Sequence, residues 1–181
     1  MIKALVLGII LGVLGVVASV YFYFATGRAP VAAASPAMPF ERKLARMGLH
    51  SYLARLPHPE PPVLADERNL LQGAKVYKDH CAVCHGLPDK AKTAIAEGMA
   101  PAPPQLFRGM GVTDDEAWES YWKVESGIRM TGMPGFKGHL TETQIWQAVV
   151  LLKNADKITP SVKAELLGAT AGQGTSTAGR K

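Results

Sequence analysis

From Ala4 to Thr26 the chain holds no charged residue, and a run of that length has one favourable conformation in lipid, a helix that satisfies its own backbone. ALVLGIILGVLGVVASVYFYF, residues 4–24, would extend roughly 31 Å at about 1.5 Å per residue, close to the hydrocarbon thickness of a bilayer at about 30 Å. Tyr21 and Tyr23 suit the interface at its far end, and Lys3 with the α-amino group holds the near end in the cytoplasm. The competing reading is a cleaved export signal, whose apolar core runs to about 7–15 residues, with Ala32, Ala33 and Ala34 supplying a cleavage site. Length favours a retained anchor, and either reading exports the rest of the chain. The expectation is a single-pass inner-membrane protein with its folded domain in the periplasm.

The formal charge of +5 does not sit on that domain. Residues 69–160 balance ten basic side chains against ten acidic ones, so the excess lies in the flanks. A nucleic-acid binder concentrates Lys and Arg on its folded part, and that class is excluded. Residues 27–39, GRAPVAAASPAMP, lack apolar periodicity and read as a tether. Residues 40–56 place Phe40, Leu44, Met47 and Leu49 near helical spacing among Arg42, Lys43, Arg46 and Arg55, which reads either as a short juxtamembrane helix able to rest on headgroups or as a solvated spacer. The prolines of PHPEPPV, residues 57–63, stop it.

Further on, the pattern predicts a helix from Asp66 to His80, a long loop over residues 87–112, a helix from about Asp114 to Ser126 opened by a Thr113–Glu116 capping box, and a helix from Thr141 to near Ala155. Residues 168–181 are small and polar and read as a disordered tail. No useful strand alternation occurs. The organisation expected is an anchor over 1–26, a linker over 27–65, a domain over 66–160 and a tail over 161–181. That domain has too little periodic apolar surface for an ample core unaided, so something else is expected at its centre.

The two cysteines, Cys81 and Cys84, stand in CAVCH directly before His85. A dithiol redox pair requires a βαβ context, and none is visible. Structural zinc wants four ligands at matched spacings, and here three crowd one turn. A disulfide across two residues is geometrically awkward and leaves His85 unexplained. C-x-x-C-H is the attachment signature of c-type haem: each thiol adds to one porphyrin vinyl group and the turn brings His85 under the iron. For the opposite side of the iron, TGMPGF offers Met133 between turn-forming residues, 48 positions after His85. Met130 and His139 are the rivals. Met38, Met47, Met99 and Met110 read as core filler, His50 and His58 as solvated linker residues, and His80 as pointing away from the iron.

These residues resemble the monohaem, class I c-type cytochromes in a membrane-anchored bacterial form. The resemblance covers roughly residues 69–157, on LLQGAKVYKDHCAVCHG, APPQLF and ESGIRMTGMPGF. It implies an all-α, cytochrome c-like helical domain wrapped around one covalent haem c and its iron, behind one N-terminal transmembrane helix. It implies that Gly73 and Tyr77 pack the first domain helix across the Ile145–Leu152 face. It further implies that Pro104 accepts from the Nδ1–H of His85, that Leu106 packs on the haem, and that His85 and Met133 are the iron ligands. Leu151 and Leu152 stand where the family commonly has an aromatic, which implies a softer contact between the two helices.

A haem closed on both faces leaves the iron no open position. The expected role is a non-enzymatic electron carrier between membrane or periplasmic redox proteins, held to the bilayer through residues 4–24. A haem subunit of a larger dehydrogenase or oxidase complex is the alternative, as is a haem sensor or enzyme should the Met133 bond be labile.

Overall fold

The computed structural model describes residues 1–108 and 113–168, so Met110 and the expected tail over 169–181 lie outside the described residues. Two compact units divide at Ala54 and Arg55. In the first, α1 spans Ile2–Ala25, every residue of it exposed. Two hydroxyls turn back on the helix backbone: Ser19 Oγ donates to Gly15 O at 2.8 Å and, at the C-cap, Thr26 Oγ1 to Phe22 O at 2.6 Å, which hides them from an apolar medium. The helix is long and apolar enough to cross a membrane. The second helix of this unit, α2, spans Glu41–Leu53. Met47, expected as core filler, stands 57% exposed on it, because it shares a side with Phe40 and Leu44 rather than with the buried Leu53.

The second unit is built from six α-helices among the described residues: α3 (Glu67–His80), α4 (Ala82–His85), α5 (Ala94–Glu97), α6 (Ala117–Ser126), α7 (Glu142–Lys153) and α8 (Pro160–Leu167). One isolated bridge, Lys137 to Leu140, is the only β-type pairing among the described residues. α3 starts where Asp66 accepts from Asn69 N at 2.9 Å, and α7 where Thr141 and Gln144 form a reciprocal capping box.

α3 and α7 cross at Gly73. A Cβ there would overlap the carbonyl oxygen of Gln147 and come within 3.1 Å of Leu151 Cβ, so the two backbones meet directly. Tyr77, one turn on, is fully buried, as is Leu151, and Leu152 is nearly so. The closeness of the crossing comes from the missing side chain of Gly73 and does not draw on an aromatic at position 151 or 152. Around it lie two apolar clusters. One gathers Leu70, Ala74, Tyr77, Leu106, Leu151, Val162 and Leu166; the other gathers Val76, Val124, Leu140, Ile145, Trp146 and Val149. Val63, last of the proline-rich stretch, touches both.

Three expectations are corrected. The tail expected from residue 161 begins later: α8 is capped by Thr159, carries Pro160 in its first turn and ends at a left-handed Gly168, and Val162 and Leu166, four apart, are both 0% exposed. α6 starts at Ala117 with Glu116 as N-cap, without a side-chain cap. Asp115 stays outside the helix because its carbonyl accepts from Lys153 Nζ at 2.6 Å, while its carboxylate meets Lys123 at 3.3 Å. The loop over 87–112 contains α5, capped by Thr93 accepting from Ala96 N at 3.1 Å. His58 is exposed, as expected of a solvated residue, and its ring stacks on Trp118 at 4.0 Å and 8°.

Substituting Gly73→Ala forces the crossing apart and is expected to cost about 1–3 kcal/mol, read as a lowered denaturation midpoint. α8 is tied to α3 by Lys78 Nζ, which meets Glu165 Oε1 at 2.6 Å and Glu165 O at 3.2 Å. The hydrogen bond from Lys78 holds the Glu165 carboxyl below its ordinary range. Its contribution is therefore present above the usual glutamate value of about 4.3 and is lost as pH falls through the lowered folded value. Glu165→Gln should cost less than about 1 kcal/mol at neutral pH, and in pH-dependent denaturation the difference from wild type should vanish in acid.

Candidate haem-attachment site

α3 leads directly into the attachment turn, with Cys81 as the joint between α3 and α4: Cys81 N donates to Tyr77 O at 2.8 Å, and then His85 N to Cys81 O at 2.9 Å and Gly86 N to Ala82 O at 2.9 Å. On such a turn residues three and four apart share a side, so Cys81, Cys84 and His85 face together. The turn is tied down from above and below. Tyr77 Oη donates to Gly86 O at 2.8 Å in a buried bond, and the Tyr77 ring meets Phe107 edge-on at 5.1 Å. Burial, with the neighbouring Cys81, pushes the Tyr77 hydroxyl far above its ordinary value, so it stays a donor.

A second segment closes over the turn. Three hydrogen bonds join residues 104–106 to it: His85 Nδ1 to Pro104 O at 2.8 Å, Gln105 Nε2 to Cys84 O at 3.1 Å, and Leu106 N to His85 O at 3.3 Å. Pro104 O can only accept, so Nδ1 carries the proton and Nε2 keeps its lone pair. Burial lowers the His85 pKa, against the opposing pull of the Pro104 bond, and this too favours the neutral imidazole. Leu106 is buried in the cluster of Tyr77 and Ala82.

Half-buried against the same cluster, Cys81 has its thiol pushed up to about 12, by burial first and then by Cys84. A dithiol redox pair needs a thiol whose pKa is lowered, and this one moves the other way. Among the described residues no group of three or more His, Cys, Asp and Glu side chains could hold a metal ion, so the four-ligand set of a zinc site is not assembled there. A haem does fit the donor set: two thiols on one side of a helical turn and a neutral imidazole whose Nε2 is free to bind iron.

Met133 lies on the segment after α6, half-buried against the cluster of Val76, Val124 and Trp146. That segment folds back on the helix end. Phe136 N and Lys137 N donate to the last-turn carbonyls of Val124 and Glu125, each at 3.0 Å, and Ile128 N donates to Met133 O at 3.2 Å. Thr131 Oγ1 donates to Ile128 O at 2.6 Å and accepts from Met133 N at 3.1 Å. Gly127, at φ +70, makes the reversal possible, since a Cβ there would stand 2.9 Å from Met133 O. The structure thus gathers Cys81, Cys84, His85, Pro104 and Leu106 into one group and sets Met133 on a separate, hydrogen-bonded loop.

Of the rival residues, Met130 is 92% exposed with φ +60, and His139 is exposed. His80 is exposed with its ring centroid 5.9 Å from that of Phe136. Met99 is half-buried and its methyl fills the space in front of Gly132, a contact across more than thirty residues that no local pattern announces.

Residues 68–152 match the family model described as "Cytochrome C oxidase, cbb3-type, subunit III". No curated protein and no solved structure matches the chain. Replacing Gly127 by alanine forces a positive φ on a side chain and crowds Met133 O. The Gly127→Ala variant is expected to lose about 1–3 kcal/mol, and amide hydrogen exchange should accelerate at Phe136 and Lys137 while remaining slow in α3.

Proposed function

Because residues 68–152 are a c-type cytochrome domain, which carries covalently bound haem c, we propose that the chain is a membrane-anchored electron carrier with iron held between His85 and Met133. The observation that carries this reading is the bond from His85 Nδ1 to Pro104 O at 2.8 Å, which leaves Nε2 as the ligating nitrogen and fixes the ring plane.

The bound haem supplies reversible one-electron exchange. Cys81 and Cys84 hold the porphyrin through thioether bonds, so the group cannot be lost when its oxidation state changes. His85, kept neutral by burial and held by Pro104, would offer Nε2 to the iron without competition from a proton. Met133 would supply a second iron ligand from a loop whose backbone is tied to the end of α6, so its thioether would be presented with little freedom. Two side-chain ligands exclude oxygen and substrate, which leaves a carrier and not an enzyme. α1 anchors the chain, with Lys3 and the amino terminus on the cytoplasmic side and the haem domain in the periplasm, where it exchanges electrons with membrane or periplasmic redox proteins.

A second reading is favoured by the description of the matching family, which names an oxidase subunit: the chain passes electrons as a resident part of a larger oxidase complex. Both readings use the same ligands and differ only in the partner. Purification in mild detergent separates them, since a subunit travels with its complex and a free carrier elutes alone.

The ligation is tested by the absorption spectrum of the reduced, matured protein with and without carbon monoxide. The wild type is expected to show no change on adding the gas, whereas Met133→Ala opens the iron and binds it. Rapid binding by the wild type would contradict a firm Met133 ligand and favour a sensor or enzyme.

A further inference from the structure

The helix α2 divides its apolar residues between two sides. Leu49 and Leu53, four apart, are drawn inward, with Leu53 only 3% exposed. Phe40, Leu44 and Met47 do the opposite and stand 72%, 57% and 57% exposed. Phe40 caps the helix and the other two follow at steps of four and three, so the three side chains form one stripe. A helix that has already buried one apolar edge gains nothing in water from a second one laid bare.

The charges on this segment are mostly basic. Residues 41–55 hold Arg42, Lys43, Arg46 and Arg55 against the single acid Glu41, and the Glu41 carboxylate is occupied by the backbone of Met38, whose N–H donates to it at 2.8 Å. Lys43, four residues before Met47, stands beside the stripe on the helical wheel, where a long side chain can lie along an apolar surface and carry its charge outward.

Only fifteen residues, 26–40, separate the end of α1 from the start of α2. Fully extended they reach about 50 Å, and the proline-bearing stretch within them offers no apolar face of its own. With α1 in a bilayer, α2 can never leave the neighbourhood of the membrane surface. Apolar stripe, basic flank and enforced proximity together choose the occupant.

We propose that Phe40, Leu44 and Met47 dock onto an anionic lipid surface, with Lys43 beside them on the lipid phosphates, so that α2 lies in the interface as a second membrane contact. The apolar side chains enter the boundary between headgroups and acyl chains, and the basic ones gain from the negative surface potential. The linker is then two short segments on either side of a surface-held helix and not one free tether. The inference rests on reading α1 as the membrane span.

The test uses the full, haem-loaded chain in lipid nanodiscs, either of phosphatidylcholine alone or with about one third phosphatidylglycerol, and in detergent. Limited trypsin digestion is followed at Arg42, Lys43 and Arg46, with Lys92 as the control site. Cleavage at the three α2 sites is expected to be at least about fivefold slower in the anionic discs than in detergent, with Lys92 unchanged. The double variant Leu44→Ser/Met47→Ser should return the α2 sites to the detergent rate. Equal rates in discs and detergent would overturn the proposal. So would protection that survives the double substitution or appears equally in detergent, since another part of the chain, a second copy or a protein partner would then cover the stripe. Co-fractionation of the chain with the discs reports on α1 separately: a chain that fails to enter them sinks the membrane reading itself, whereas one that enters with α2 freely cleaved sinks only this inference.

Discussion

The close crossing of α3 over α7 at Gly73 sets the rest of the domain. With no side chain between them, the backbone of α3 lies directly on the carbonyl of Gln147, and the faces on either side fill with the two apolar clusters. Everything that α3 delivers inherits that position: Tyr77 one turn later, then the turn that begins at Cys81. Backbone-to-backbone contact is stiffer than contact through long side chains, because it offers no rotamers through which to relax. A short helix pair can thereby hold a reactive turn steady in a domain that lacks a large core.

From that crossing the site is built by hydrogen bonds more than by burial. Tyr77 fixes the end of the turn through Gly86 O, and residues 104–106 close on Cys84 and His85 through three bonds. The three residues act differently. Pro104 selects the imidazole tautomer, Gln105 holds the carbonyl of Cys84, and Leu106 seals the turn against the cluster below. The loop bearing Met133 is organised independently, through the open carbonyls at the end of α6. Two separately anchored segments, one on each cluster, thus carry the residues proposed to hold the haem.

How much of this is legible in the sequence follows from how local each signal is. C-x-x-C-H occupies five residues on one turn, so its chemistry can be read directly, and the capping box of α7 is equally self-contained. Pro104 and Gly73 require a family resemblance, because their partners lie 19 positions away and on another helix. The start of α6 misleads, since Thr113 to Glu116 has the form of a cap, whereas a distant lysine, Lys153, takes the carbonyl of Asp115. α8 escapes a reading by pattern because its two buried residues, Val162 and Leu166, are too few to make one until α3 supplies the surface they cover. His58 on Trp118 and Met99 against Gly132 are likewise products of tertiary structure, invisible to any window along the chain.

A porphyrin joined covalently to Cys81 and Cys84 would stay on its peptide after the protein is unfolded. Digestion of the matured protein with trypsin under denaturing conditions, followed by mass spectrometry of the peptide Asp79–Lys90, tests that attachment most directly. The peptide is expected to carry the mass of one haem, retained without any folded structure to hold it. Recovery of the same peptide with two free thiols, or with a disulfide between Cys81 and Cys84, would rule out covalent attachment.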